Sequence, residues 1–223
     1  MDNFFVYDEN WKKKYITRDM LSKDYELFVD EVKTLHIGRD VFYWPAFRPE
    51  FCDKLIEYAN KLNMWGKMGH TSYRTNDTWL RNIGLDSVWN DFISEYVVDL
   101  LEFMYKSAEL NKNLSKEFQY AQGNVERDDD ELSHTENFVV RYLPEEANDS
   151  LSLQCDDTEI SVQVSLSDPK DYAGGGTWYP KQNTLLRLPK GYMSAHPGGM
   201  GFRHGARRIT SGVRYTLVSF IKT

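Results

Sequence analysis

The pattern of apolar and polar positions changes near the middle of the chain. In the first half, apolar residues recur at intervals of three and four, which is typical of helices. The segment RPEFCDKLIEYANKLNMWG predicts a helix that stops at Gly66, and a second helix is predicted from Ser87 to Leu110. After ERDDDE (126–131), short alternating runs are separated by Gly, Pro, Asp and Asn, as in proteins built from short strands. This order predicts an α+β, mainly β fold: a sandwich of strands with supporting helices on one face.

The domain boundaries follow from the same pattern. We expect a lead-in segment, 1–39, that packs on the body and contains a helix in SKDYELFVDEVKTL, followed by one domain, 40–223. The domain begins with DVFYWPAF, which predicts a strand closed by Pro45. No apolar run reaches the roughly 18 residues of a membrane span, and the start has no apolar segment of signal-peptide length. The sequence therefore predicts either a cytosolic protein or a domain of something larger.

Charge and cysteine content narrow the function classes. The net charge of −7 and the pI near 5.3 argue against a nucleic-acid partner, whose phosphates would be repelled. Cys52 and Cys155 are too few for a disulfide framework and lack zinc-site spacing, and we interpret Cys155 as a packed thiol. The acidic segment ERDDDE is typical of a solvated loop, although near a pocket it would attract a lysine-bearing substrate.

Candidate chemistry begins at LQCDDTEISVQVSL, a predicted strand that starts at Leu153. Gln154 and Asp156 lie two positions apart and would share one strand face. Asp156 together with His204 gives two parts of a facial triad for non-haem Fe(II), and Arg214 could hold the far carboxylate of a keto acid. The alternatives are a turn aspartate, a surface histidine and an exposed ion-pair arginine, and the pattern alone favours them.

Several blocks follow one another in order from about residue 40 to the end: DVFYWPAF with FCDKL, ENFVVRYLPEE, ISVQVSLSD, DYAGGGTWYP, PKGYMSAHPG and GVRYTLVSF. In this order they resemble the C-terminal hydroxylase domain of procollagen lysyl hydroxylases. The looser sequence is more similar to a divergent member, such as the giant-virus version, than to an animal enzyme. The resemblance implies a double-stranded β-helix (jelly roll) and hydroxylation of lysyl residues in collagen-like peptides, with Fe(II), 2-oxoglutarate and ascorbate, giving hydroxylysine, CO₂ and succinate.

The resemblance also assigns roles to individual residues. Asp156 matches the carboxylate ligand, His204 the second histidine ligand and Arg214 the residue that clamps 2-oxoglutarate. The co-substrate site further includes a tyrosine, an amide and a second arginine, which match Tyr142, Gln163 and Arg74. His196, in HPGG, matches a block of the family but not its ligand, and we expect a structural role for it. Tyr179, Trp178 and Tyr43 could line a substrate entrance, although core positions are favoured.

Gln154 departs from the family, which has a histidine ligand at this position. An amide oxygen binds Fe(II) more weakly than imidazole does. Three explanations stay open: a working site with Gln154 or water as weak ligand, an inactive chain, or a change from the natural residue. His134 and His70 could supply an imidazole only if folding brings them close.

Two rival functions follow from these alternatives. One is an iron-poor binding or assembly module, and the other is an oxygenase of prolyl or small-molecule substrates. The resemblance further implies a homodimer, glycosyltransferase modules upstream, and the endoplasmic reticulum lumen or a viral equivalent.

Overall fold

A computed structural model describes residues 4–24, 41–66, 75–107, 136–144 and 148–221. The α-helices are α1 (Glu9–Tyr15), α2 (Arg18–Ser22), α3 (Pro49–Leu62), α4 (Asp86–Phe92) and α5 (Val98–Ser107). The described residues also form 3₁₀ turns at Leu80–Ile83 and Met200–Phe202. The strands are β1 (Phe42–Pro45), β2 (Asn76–Trp79), β3 (Glu136–Tyr142), β4 (Leu151–Gln154), β5 (Ile160–Ser165), β6 (Tyr172–Gly174), β7 (Thr177–Tyr179), β8 (Thr184–Leu186), β9 (Tyr192–Pro197), β10 (His204–Ala206), β11 (Ile209–Gly212) and β12 (Arg214–Ile221).

Two facing sheets form the body. Among the described residues the larger sheet has the order β1-β9-β5-β12-β3-β2 and the smaller has the order β4-β10-β7-β8, while β11 and β6 form a separate pair. All the pairings are antiparallel, and from β3 onwards the chain crosses repeatedly between the sheets, as at β3 to β4, β4 to β5, β8 to β9 and β9 to β10. This arrangement confirms the predicted jelly roll. No helix in the described ranges is long and apolar enough to cross a membrane.

The main apolar core lies between the larger sheet and the helices. Alternate residues of β5 (Ile160, Val162 and Val164) are buried on the helix side, where they pack in one cluster with Trp89 and Phe92 of α4. The intervening residues point the other way, into the space between the two sheets. Because the helices cover one face of this sheet, the polar residues on its other face are free to build a site.

The lead-in segment contributes to the same core over its described part. Trp11 and Tyr15 of α1 and Met20 of α2 are buried in the cluster that contains α3. Lys12 of α1 also pairs with Glu95 at 2.7 Å, next to α4. The helix expected in SKDYELFVDEVKTL falls mainly on residues 25–35, outside the described ranges.

The helix predicted in RPEFCDKLIEYANKLNMWG is present as α3, with a corrected end. Pro49 occupies the first turn of α3, and Phe51, Cys52, Leu55 and Ala59 form its buried stripe. The helix ends at Leu62 rather than at Gly66, because Asn63 adopts the left-handed conformation and its N–H binds the carbonyl of Ala59.

The second predicted helix is not continuous. A π-helical segment, Ile93–Val97, separates α4 from α5. Its side chains Ile93, Tyr96 and Val97 are buried, so the wider turn keeps the apolar face on the sheet across the interruption.

The segment that starts at Leu153 was predicted as one strand, and this prediction is wrong. β4 ends at Gln154, a turn covers residues 155–159, and β5 begins at Ile160 in the other sheet. Thr158 stabilises the turn by donating its hydroxyl to the carbonyl of Ile221 at 2.6 Å. Cys155 lies in this turn, half exposed beside Met200, and not in the core as a packed thiol.

Candidate metal and anion site

The site forms where the two sheets meet at the turn after β4. In the smaller sheet, Gln154 pairs with His204 across β4 and β10. In the larger sheet, Ser161 pairs with His196 across β5 and β9, so their side chains share the inner face. Asp156, in the turn between β4 and β5, lies among all four. The strand registers therefore bring together residues that are up to 50 positions apart.

Asp156 is buried and held through both carboxylate oxygens. Nε2 of Gln154 donates a hydrogen bond to its Oδ1 at 2.9 Å. The Ser161 hydroxyl donates to its Oδ2. The two imidazoles approach this second oxygen as well: Nε2 of His204 lies 3.5 Å from Oδ2, and Nε2 of His196 lies 4.0 Å from it. The carboxylate thus has an amide on one side and two histidines on the other.

The remaining ring nitrogens define the tautomer of each histidine. Nδ1 of His204 lies 3.1 Å from the carbonyl oxygen of Phe202, and Nδ1 of His196 lies 2.9 Å from that of Pro197. A carbonyl can only accept, so each Nδ1 carries a proton, and the neutral form of each ring presents a bare lone pair at Nε2. Burial and the neighbouring His204 lower the pKa of His196 to about 4, which keeps its ring neutral. Two lone pairs therefore face one carboxylate.

Tyr179 packs against both imidazoles from one side. Its ring centroid lies 5.6 Å from that of His204 and 5.4 Å from that of His196. The side chain is fully buried, and burial raises the pKa of its phenol. Tyr179 is therefore a wall of the site, which agrees with the preference for a core position.

The turn after His196 is fastened to the turn that carries Asp156. The N–H of Gly198 binds the carbonyl of Glu159 at 2.9 Å, and the N–H of Gly199 binds that of Asp156 at 3.1 Å. A β-carbon on Gly198 would overlap the backbone of Thr158, so only glycine allows this close approach. The HPGG block is thus a tether between a histidine and a carboxylate.

A cavity of about 250 Å³ opens beside this cluster, between the two sheets. Asp156, His204 and Gln154 line one part of it, and Arg214 lines another. His196 does not line the cavity and is fully buried behind the cluster.

Arg214 is a buried cation. Its side chain donates from Nη2 to the hydroxyl of Thr177 at 3.0 Å, and its guanidinium lies 5.2 Å from the ring centroid of Tyr142. Thr177 in turn donates to Oε1 of Gln163 at 3.2 Å. Within the described part of the chain, no carboxylate forms an ion pair with Arg214. Because an unpaired buried charge is unfavourable, this end of the cavity is suited to an anion.

The rest of the cavity wall is apolar with acidic groups at its margin. Aromatic and aliphatic residues of β3, β4 and β12 form the wall: Phe138, Val140, Leu151, Val218 and Phe220. Glu136, half buried, and Asp157, exposed, add carboxylates to it. A ligand with an apolar stem and a cationic end fits these surroundings.

Most of the residues expected in the site lie around this cavity. The structure brings together Asp156, His204, Gln154, Arg214, Tyr142 and Gln163. Arg74, His70 and His134 lie outside the described residues. Ser161 and Thr177 were not predicted as site residues. Ser161 could have been indicated by its place in the alternation of β5, opposite the core residues Ile160 and Val162, whereas no sequence signal marks Thr177.

The donor set fits a divalent metal. Asp156, His196 and His204 each offer one ligand atom within 4.8 Å of the others. Donor atoms that share an ion at about 2.1 Å lie at most about 4.2 Å apart, and the separations of 3.5 and 4.0 Å from Asp156 fall within that limit. Nε2 of His196 and Oε1 of Gln154 are buried without a hydrogen-bond partner. Two imidazoles and a carboxylate are also the ligands of non-haem Fe(II) sites.

Sequence comparisons identify relatives over almost the whole chain. The chain is 31% identical over 225 residues to the procollagen lysyl hydroxylase and glycosyltransferase of Acanthamoeba polyphaga mimivirus, covering 96% of this chain and 22% of that protein. It is 29% identical to procollagen-lysine,2-oxoglutarate 5-dioxygenase 2 of Mus musculus, covering 99% and 28%. The chain thus spans about a quarter of the length of these relatives. No protein-family profile matches the chain.

Solved structures share the fold at low sequence identity. A prolyl-4-hydroxylase from Pseudomonas putida superposes with a TM-score of 0.54 and 11% identity, covering 89% of this chain and 98% of that one. A viral collagen prolyl hydroxylase from Paramecium bursaria Chlorella virus-1 gives a TM-score of 0.52 and 15% identity, covering 82% and 89%. At these identities the likeness concerns the fold alone, and it agrees with the jelly roll.

Proposed function

We propose that this chain, a homologue of the procollagen lysyl hydroxylases over nearly its whole length, is an Fe(II)- and 2-oxoglutarate-dependent hydroxylase of lysyl residues in collagen-like peptides. The observation that carries the proposal is one cavity with two chemically different regions. A cluster suited to a metal contains Asp156 and His204, and a separate part of the wall presents the buried cation of Arg214, which has no ion-pair partner among the described residues.

Asp156 and His204 would hold the metal. The carboxylate keeps its orientation because Gln154 and Ser161 bind its two oxygens, and the carbonyl of Phe202 fixes the tautomer of His204. Bound Fe(II) would supply the redox chemistry, in which O₂ is consumed and 2-oxoglutarate is converted to succinate and CO₂.

Arg214 would bind the carboxylate of 2-oxoglutarate that lies away from the metal. Its guanidinium is positioned by Thr177 and by the ring of Tyr142, so the fork of donors is pre-organised for a planar anion. Gln163 supports Thr177 from behind. These three residues reduce the conformational freedom that Arg214 would otherwise lose on binding.

A lysyl side chain fits the remaining wall better than a prolyl ring does. Its methylene stem would lie against Phe138 and Phe220, and its ammonium would be attracted by Glu136 and Asp157. A prolyl substrate would leave both carboxylates without a partner. The binding-module alternative has no support in the comparisons. Ascorbate and the homodimer stay predictions.

The test is anaerobic titration with Fe(II) and 2-oxoglutarate, followed by O₂ and a collagen-like peptide that contains Gly-X-Lys. We expect succinate release and a mass gain of one oxygen atom on the lysyl peptide. A matched peptide with proline in place of lysine is the control for substrate class, and Asp156→Asn is the control for the metal. Gln154→His is measured in parallel, because turnover by that variant alone would show that the fold is intact and that Gln154 prevents activity. Absence of turnover in both proteins would refute the hydroxylase proposal.

A further inference from the structure

His196 has the surroundings of a metal ligand rather than of a core histidine. Its side chain is 1% exposed, and within the described ranges Nε2 has no hydrogen-bond partner. A buried histidine that serves packing normally satisfies both ring nitrogens. Here only Nδ1 is satisfied, by the carbonyl of Pro197, and the lone pair of Nε2 is left facing Asp156.

The two imidazoles belong to one cluster. The ring centroids of His196 and His204 lie 4.5 Å apart in an edge-to-face arrangement, and both Nε2 atoms approach Oδ2 of Asp156. In the neutral form of each ring, the backbone carbonyl bound to Nδ1 selects the tautomer that has its lone pair on Nε2. Three electron-rich atoms that converge with no hydrogen between them repel one another unless a cation lies among them.

The two oxygens of Asp156 distinguish His196 from Gln154. Gln154 approaches Oδ1 with its amide NH₂, the end that repels a cation, whereas both histidines approach Oδ2. A metal bound on the side of Oδ2 therefore meets the lone pair of His196 and not the amide hydrogens of Gln154.

We propose that His196 is the third protein ligand of the metal, together with Asp156 and His204, and that Gln154 only orients the carboxylate. This inference rests on the proposed function, because it concerns the same metal. It replaces the structural role expected for His196 from the sequence. It also explains how a chain with glutamine at position 154 keeps a site of two histidines and one carboxylate.

The position of His196 suits this role. It reaches Asp156 from the closed side of the cluster, whereas the cavity lies on the other side, along Gln154 and His204. Because His196 would approach the metal from the closed side, the cavity side would stay open to a co-substrate that extends towards Arg214. The backbone tether from Gly198 and Gly199 to the turn of Asp156 holds His196 in place without the metal.

The experiment counts coordinated imidazoles in the full chain loaded with Co(II). A histidine bound through Nε2 keeps an exchangeable proton on Nδ1, which gives a paramagnetically shifted proton resonance in H₂O that disappears in D₂O. The wild type is compared with His196→Asn, His204→Asn and Gln154→Ala. The Co(II) dissociation constant of each protein is measured by calorimetry in parallel, which gives a readout independent of turnover.

We expect two shifted resonances in the wild type and in Gln154→Ala, and one in either histidine variant. We expect the Co(II) dissociation constant of His196→Asn to rise by more than about 100-fold, the upper end of the range for losing an outer-shell partner. A single resonance in the wild type that persists in His196→Asn would overturn the role of His196 and leave the proposed function standing. Absence of Co(II) binding by the wild type would overturn both. If His196→Asn does not fold, His196→Gln is measured in its place, and two resonances that persist in that variant would overturn the role of His196.

Discussion

Replacing Arg214 with methionine should weaken 2-oxoglutarate binding without destabilising the apoprotein. Arg214 is 7% exposed, and among the described residues its guanidinium contacts Thr177 and Tyr142 but no carboxylate. Methionine fills a similar volume with an unbranched apolar side chain, so the packing on Tyr142 is largely retained. The change therefore removes the charge and its donors and little else.

The two expected effects have opposite signs. A hydrogen bond to a charged group contributes about 1.5–3 kcal/mol, which corresponds to a dissociation constant about 10- to 100-fold higher in Arg214→Met. For folding, the loss of the bond to Thr177 costs about 1 kcal/mol, while removal of an uncompensated buried charge stabilises by a comparable or larger amount. We therefore expect the free energy of unfolding of the apoprotein to stay level or rise.

The assay is anaerobic calorimetry of 2-oxoglutarate binding to the Co(II)-loaded protein, combined with urea unfolding of the apoprotein. Arg214→Lys is the matched control, because it keeps the charge but not the fork, and should bind with an intermediate affinity. Succinate is a second control ligand, since it retains two carboxylates but lacks the keto group. Unchanged affinity in Arg214→Met would refute the assignment of this end of the cavity to the co-substrate. A marked loss of apoprotein stability would refute the inference that the charge is uncompensated.

Three further outcomes are expected. Gly191→Ala should lower the free energy of unfolding in urea by more than about 3 kcal/mol, because Gly191 has φ +85° and a β-carbon there would overlap the carbonyl of Phe47. The control Gly84→Ala, with φ +74° and open space around it, should cost about 1 kcal/mol, and equal losses would contradict the clash argument. Alkylation of the native protein at pH 8 should label Cys155 and spare Cys52, since burial raises the pKa of the Cys52 thiol to about 12. Labelling is measured by mass spectrometry, and similar rates at both cysteines would show that α3 opens. Glu136→Gln should raise the KM for a lysyl peptide about tenfold and leave the peptide-independent conversion of 2-oxoglutarate unchanged. Glu57→Gln, at an exposed position, is the control, and an unaltered KM in Glu136→Gln would show that Glu136 does not recognise the lysyl side chain.

The sequence contains much of the fold because local pattern and residue type encode it. Alternation within the short strands, the apolar stripe of α3 and the order of helices before strands are all local properties, and they predict the jelly roll with helices on one face. Asp156, His204 and Arg214 were predicted as site residues from residue type and from the resemblance of several ordered blocks, and the structure places all three around one cavity. The end of α3 was misplaced because Asn63 can adopt the left-handed conformation that the prediction assigned to a glycine.

Only the tertiary structure decided how the site is assembled, because strand registers join residues that no local pattern connects. The break between Gln154 and Ile160 sends two halves of one apparent strand into different sheets. The pairing of Ser161 with His196 then places a second imidazole beside Asp156, and the absence of a described carboxylate at Arg214 leaves its charge open to a ligand. The sequence by itself determined which chemical groups are present, whereas the packing of the two sheets determined which lone pairs face the same point.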